Sequence, residues 1–214
     1  MDYKQTIIKF YGWLLPEGKY NKACSWIRIR NNVNRLKKSE EMLSDDEINS
    51  IIAGSRNHRD KALFILAYDS ECRVEELLTL RLREVELDDK GMTLHVTGKT
   101  GERRVYVVGD SIAYLRECRQ NHPHTDDPNN TLFVDLVTGD AMNYDTPQVS
   151  LHKEAARVGI KKQVHLHLYR HFSATRYSEV LSESVLKAQL GWTGSSKMAE
   201  KMSIFQGSNR KTPF

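Results

Sequence analysis

Cys72-Arg73-Val74-Glu75-Glu76-Leu77-Leu78-Thr79-Leu80 is the stretch on which the reading of this chain turns. Its apolar residues fall on one face at helical spacing, so it reads as a helix carrying an arginine and a carboxylate three residues apart. Directly after it the apolar period shortens from about 3.6 to about 2. Val85 and Leu87, then Met92, Leu94 and Val96, then Val105, Val107 and Val108 mark three strands. Asp88-Asp89-Lys90-Gly91 and Gly98-Lys99-Thr100-Gly101 supply the hairpin-type turns between them. Upstream, Ser44-Asp45-Asp46-Glu47 predicts a capping box, and Ile48, Ile51 and Ile52 give the helix behind it a buried face until Gly54. Asp60 to Ser70 is the next helix, with Leu63, Phe64, Leu66 and Ala67 turned inward. Downstream, helices are expected over Ser111–Gln120, Gln148–Val158, His167 to about Leu181 and Glu183–Leu190, with Leu132-Phe133-Val134 as a short extended piece. The fold class is mainly α with a small three-stranded antiparallel sheet.

With 214 residues, 39% of them hydrophobic and 28% charged, the chain can build a core of ordinary size. No apolar run approaches the ~20 residues of a membrane span, and the start lacks a signal peptide's apolar stretch. Cys24, Cys72 and Cys118 form no CxxC pair and are odd in number, which fits reduced thiols in an intracellular, cytoplasmic protein. The net charge of +4 conceals a pattern. Residues 1–40 carry 9 Lys/Arg against 3 Asp/Glu, residues 41–160 carry 14 against 22, and residues 161–214 again carry 9 against 3. Basic ends around an acidic middle suggest two separated parts that meet a polyanion, although chance clustering on solvated faces is the alternative. Two units are expected. Residues 1–40 hold an amphipathic helix over Ile7, Phe10, Tyr11, Trp13 and Leu14, then a second helix from Tyr20 to about Leu36. Residues 41–214 hold the rest.

Four pieces far apart in sequence, Arg73, Lys99, His167 with Arg170, and Trp192, resemble in order and spacing the tyrosine recombinase family, the phage-integrase type of DNA strand transferase. The resemblance runs from about Ser44 to Gly207. It looks closest to archaeal and archaeal-virus integrases through Gly194-Ser195-Ser196-Lys197-Met198-Ala199. It implies that residues 41–214 are the catalytic domain and that residues 1–40 are a shortened N-terminal helical DNA-binding segment. Attack on a DNA phosphodiester builds negative charge on the non-bridging oxygens, and planar guanidinium groups answer that need. The resemblance assigns Arg73 and Arg170 to those oxygens, with Glu76 as the carboxylate that holds Arg73. It makes Lys99 the general acid that protonates the leaving 5′-oxygen, and His167 a proton shuttle. Trp192 offers an indole N–H to the phosphate, and His171 plays a supporting part.

Each residue has a plainer reading. Arg73 beside Glu75 and Glu76 can be a surface ion pair, Lys99 a solvated turn lysine, and Trp192 a core residue after a helix-ending glycine. His167 and His171 are spaced like zinc ligands, but Leu168 stands where HExxH has glutamate, and no third ligand is evident. No metal, nucleotide or other cofactor is expected. Arg28, Arg30, Arg35, Lys37, Lys38, Arg103, Arg104 and Lys197 are candidate DNA-binding residues, and the implied partners are a duplex attachment site and a homo-oligomer on DNA.

The family's nucleophilic tyrosine stands about ten residues past the Trp192 position, where this chain has Met202. Phe205, one helical turn later, is the alternative register, with a tyrosine's shape but no hydroxyl. The last tyrosine in the chain is Tyr177. A thioether cannot form a phosphotyrosyl-type intermediate, so the chain as written is expected not to complete strand exchange. The other reading is a non-catalytic DNA-binding or regulatory module derived from an integrase.

Overall fold

The computed structural model describes residues 3–15, 19–28, 43–88, 90–98, 101–178 and 181–191. The chain divides into two compact units, Met1–Glu40 and Glu41–Phe214.

In the first unit, α1 (Tyr3–Leu14) packs against the shorter α2 (Lys19–Cys24). The second helix was expected to run to about Leu36, but it stops at Cys24. The Ser25 hydroxyl donates to Lys22 O and the Trp26 indole to Ala23 O, taking carbonyls that would otherwise continue the ladder. Residues 29–42 lie outside the described residues.

In the second unit, α3 (Asp45–Gly54) begins at the predicted capping box. Glu47 N donates to Ser44 Oγ at 3.2 Å, and Ser44 N donates to Glu47 Oε2 at 2.7 Å. The central element is α4 (His58–Asp69), buried along nearly its whole circumference from Arg59 to Tyr68. A helix enclosed on all sides needs partners all round. It finds them in α3, α6 (Ser111–Gln120), α7 (Thr146–Arg157) and α8 (Leu166–Tyr177). Arg59 is tolerated inside because it is bonded to Asp60 and to Val134 O.

The next helix, α5, is only Val74–Thr79, and Arg73 is its N-cap rather than a residue inside it. A short 3-10 turn, Leu82–Glu84, leads into the sheet. Strands β1 (Val85–Leu87), β2 (Met92–Gly98) and β3 (Gly101–Val107) form an antiparallel meander in the order β1-β2-β3. Met92, Leu94 and Val96 point to the core from β2, as Val105 and Val107 do from β3. Gly98 pairs with Gly101 at the hairpin end, and the intervening residues 99 and 100 lie outside the described residues.

Leu132-Phe133-Val134 is buried but is not a strand. Among the described residues its β pairing is limited to isolated bridges, Val134 with Ala141 and, just before it, Arg81 with Thr131. Helix α8 ends at Tyr177, four residues short of the expected Leu181. The last described helix, α9 (Glu183–Leu190), packs on β3 and closes with Gly191 in the left-handed conformation at φ 59°. Among the described residues no helix is long and apolar enough to cross a membrane.

Candidate active site around Glu76

The Glu76 carboxylate, 2% exposed, is the point where several elements meet. It receives the Arg73 backbone N–H at 2.8 Å and Arg73 Nη1 at 2.9 Å, an arrangement made possible by Arg73 sitting at the helix N-cap. From β3, Arg103 grips it with two bonds, Nη1 to Oε1 at 2.9 Å and Nη2 to Oε2 at 2.8 Å. Gly98 presses on the same carboxylate, and a Cβ there would collide with Oε1, so only glycine fits at the base of the hairpin. Burial alone would raise the Glu76 pKa. The Arg103 bonds, the Arg73 amide, the Arg103 charge and the Arg73 guanidinium bond instead bring it down to about 2.

Arg170, on α8, is 5% exposed. It donates from Nη1 to Glu71 O and from Nη2 to Leu190 O, which ties α8 to the loop before Arg73 and to the last turn of α9. Arg103 Nε takes the neighbouring carbonyl, Gln189 O, at 3.1 Å. Two cations thus satisfy the open end of α9, where the helix dipole is negative. Burial, joined by the charge of Arg73, lowers the Arg170 pKa to about 10. His167 lies one turn earlier on α8, with its side chain exposed. Partial desolvation and the charges of Arg170 and then Arg73 lower its pKa, so the imidazole is neutral near pH 7 and able to accept a proton.

Of the residues singled out from sequence, Arg73, Glu76, His167 and Arg170 are brought together. Lys99, Trp192, Met202, Phe205 and Lys197 lie outside the described residues, as do Arg30, Arg35, Lys37 and Lys38, and so does the His171 side chain. Arg28 and Arg104 are exposed. Arg103 requires a correction. Expected on a DNA-facing surface, its side chain is only 11% exposed and its guanidinium is bound to Glu76. Strand parity carries the reason, since Arg103 lies on the same inward face as Val105 and Val107. Among the described residues, no group of three or more His, Cys, Asp or Glu is placed to hold a metal ion.

A model of the Phage integrase family matches residues 41–200. The chain belongs to that family. Tyrosine recombinase XerC of Xanthomonas axonopodis pv. citri is 30% identical over 175 residues, which cover 79% of this chain and 55% of the relative. The integrase-family chain therefore spans about half the length of the curated relatives it matches. Among solved structures, the XerA recombinase superposes with a TM-score of 0.67 at 21% identity, covering 91% of this chain and 73% of that one. The XerH recombinase bound to its difH substrate gives 0.61 at 18% identity, covering 80% and 53%. At those identities the likeness shows the fold, which is the mostly helical one with a three-stranded antiparallel sheet.

Sequence reading missed Glu71, the residue whose carbonyl holds Arg170. It is fully buried, adopts a left-handed φ of 56°, and neither carboxylate oxygen has a hydrogen-bond partner among the described residues. Its neighbours Ser70 and Cys72 gave no turn signal that would have marked it. Burial pushes its pKa up to about 7, against the pull of Arg170 and Arg176. A carboxylate raised in the folded state costs nothing below its ordinary value near 4.5, and its cost grows until pH passes 7. Glu71→Gly is therefore expected to stabilise the protein more at pH 8 than at pH 4, by about 3 kcal/mol. Relief of left-handed strain worth roughly 1–2 kcal/mol, partly offset by glycine's unfolded-state entropy, is common to both pH values. Thermal melts of both proteins at the two pH values measure this. Equal effects at pH 4 and pH 8 would show that the buried carboxylate is not the cause.

Proposed function

We propose that this chain is the catalytic region of a site-specific DNA recombinase that lacks its nucleophile at position 202, so that it binds duplex DNA without completing strand cleavage. The observation that carries the reading is the arrangement of Arg73, Arg170 and His167 around Glu76, which gathers two guanidinium groups and a neutral imidazole from separate elements. In this reading Arg73 and Arg170 bind the non-bridging oxygens of one phosphate, and Glu76 holds Arg73 in place. His167 accepts the proton of the attacking hydroxyl. Lys99 gives a proton to the leaving 5′-oxygen, Trp192 adds an indole donor, and His171 supports the helix face. No metal or nucleotide is needed, because a covalent phosphoryl–enzyme link would conserve the energy of the broken bond.

Residues 1–40 act as a helical DNA-binding segment, with Arg28, Arg30, Arg35, Lys37 and Lys38 on phosphates, while Arg104 and Lys197 do the same from the catalytic domain of residues 41–214. The XerH structure is of a recombinase bound to its substrate before cleavage, and a lambda integrase structure is of a tetramer on a Holliday junction. We extend duplex DNA and assembly on DNA to this chain by that likeness, together with an intracellular location and an archaeal or archaeal-virus origin drawn from the segment 194–199. Met202 favours one second reading, a non-catalytic module that occupies attachment sites.

Duplex binding tests the proposal. Neutralising about six phosphates makes affinity fall on the order of a thousandfold between 50 and 200 mM salt. Charge reversal of Arg28, Arg30 and Arg35 is expected to weaken binding on every sequence, and the wild-type chain is expected to leave supercoiled DNA without nicks. Affinity that stays constant from low to moderate salt would contradict the nucleic-acid reading.

A further inference from the structure

Glu76 poses an electrostatic problem for a phosphate-binding arginine. A buried carboxylate bonded to Arg73 alone would cancel its charge and leave the pair neutral toward an incoming anion. Arg103 changes that balance. Its guanidinium faces both oxygens of Glu76 in a fork geometry, whereas Arg73 reaches Oε1 through a single Nη and is still 30% exposed. Arg103 is the inward member of the pair and Arg73 the outward one.

We infer that Arg103 is a positioning residue that acts as the counter-charge to Glu76, leaving Arg73 with its full positive charge for a phosphate. The inference rests on the recombinase reading for its ligand, though not for its electrostatics. Four charges make up the cluster. Arg73, Arg103 and Arg170 are positive and Glu76 is negative, and Arg170 feels all three of the others. With Arg103 present the cluster carries a net +2, and without it +1. Arg103 also braces the parts in space. It starts from β3 just beyond the hairpin turn, bonds α5 through Glu76, and bonds the end of α9 through Gln189 O. Gly191 packs on it so closely that an added Cβ would lie 3.1 Å from Nε. In the sequence Trp192 follows Gly191, and Lys99 lies between β2 and β3. One guanidinium therefore links the chain segments that lead to both.

Two readouts test this on the intact chain. The first is the titration of the His167 ring followed by NMR, which needs no DNA. Arg103→Gln leaves Arg73 as the counter-charge of Glu76 and so offsets one of the two cations that lower the His167 pKa, which is expected to rise by about 0.5 unit. The double variant Glu76→Gln with Arg103→Gln removes both charges and is expected to return it to the wild-type value. The second is affinity for a short duplex at low salt, expected to fall about tenfold in Arg103→Gln and to recover only in part in the double variant, where Glu76→Gln removes the ion pair that holds Arg73.

A brace with no electrostatic role would not be rescued by removing Glu76 as well. A folded Arg103→Gln protein with an unmoved His167 titration overturns the inference, and so does a double variant in which His167 stays displaced. If Arg103→Gln does not fold, the double variant decides alone, since a wild-type His167 titration supports the counter-charge and any displacement refutes it. If even wild type fails to bind DNA, the recombinase reading falls while the titration still decides the role of Arg103.

Discussion

Glu76→Ala is expected to destabilise the protein by about 3–5 kcal/mol, the cost typical of removing one partner from a buried charge network. The carboxylate accepts four hydrogen bonds, one from the Arg73 amide and three from guanidinium nitrogens. Its loss strands the Arg103 guanidinium in a nearly closed site. Arg73, being part-exposed, can recover water, so most of the penalty falls on Arg103. The pH dependence has a definite sign. The folded-state pKa of about 2 lies below the ordinary value near 4.5, so the stabilisation is fully present above pH 4.5 and is lost as pH falls toward 2. That span corresponds to roughly 3 kcal/mol. Chemical denaturation of wild type and Glu76→Gln from pH 2 to 7 measures it. The two curves are expected to converge at the acid end and separate above pH 4.5. Parallel curves would mean that the carboxylate is not charged and paired as described.

Much of this arrangement is legible in the sequence, because periodicity is a strong local signal. The capping box at Ser44 and the change of period after Leu80 were both readable, and so were the two glycines that pair at the end of the β2–β3 hairpin. Each depends on residues close in sequence. The misreadings have different causes, and the first is a side chain whose partners are remote. Arg103 looked like a surface cation because its partners, Glu76 and Gln189 O, are 27 and 86 residues away. Its strand parity with Val105 and Val107 already pointed inward. Glu71 offered less to read. A glutamate between a serine and a cysteine gives no hint of a left-handed turn, since nothing local stabilises that conformation there. The early end of α2 depended on two side chains, Ser25 and Trp26, that compete for helix carbonyls. Sequence propensity prices such competition poorly.

Gly98 shows how sequence and site bear on each other. In the sequence it is a turn residue, and in the fold it is the place where the hairpin backbone touches the Glu76 carboxylate. The same contact that fixes the end of the β2–β3 hairpin therefore also fixes the carboxylate that orients Arg73. The family membership covers residues 41–200, and the local geometry around Glu76 lies within it.

Restoring the hydroxyl tests the central claim most directly. In the proposed mechanism the two arginines, the lysine and the histidine supply charge stabilisation and proton transfer independently of the attacking group, so a restored nucleophile is expected to use them. Met202→Tyr is incubated with a nicked suicide duplex that prevents religation, and the products are run on a denaturing gel. Phe205→Tyr serves as the control for a register shifted by one helical turn. The account predicts a covalent protein–DNA adduct from Met202→Tyr and none from wild type. An adduct from Phe205→Tyr alone would move the nucleophile to position 205. No adduct from either protein, with duplex binding intact, would contradict the claim that only the nucleophile is missing.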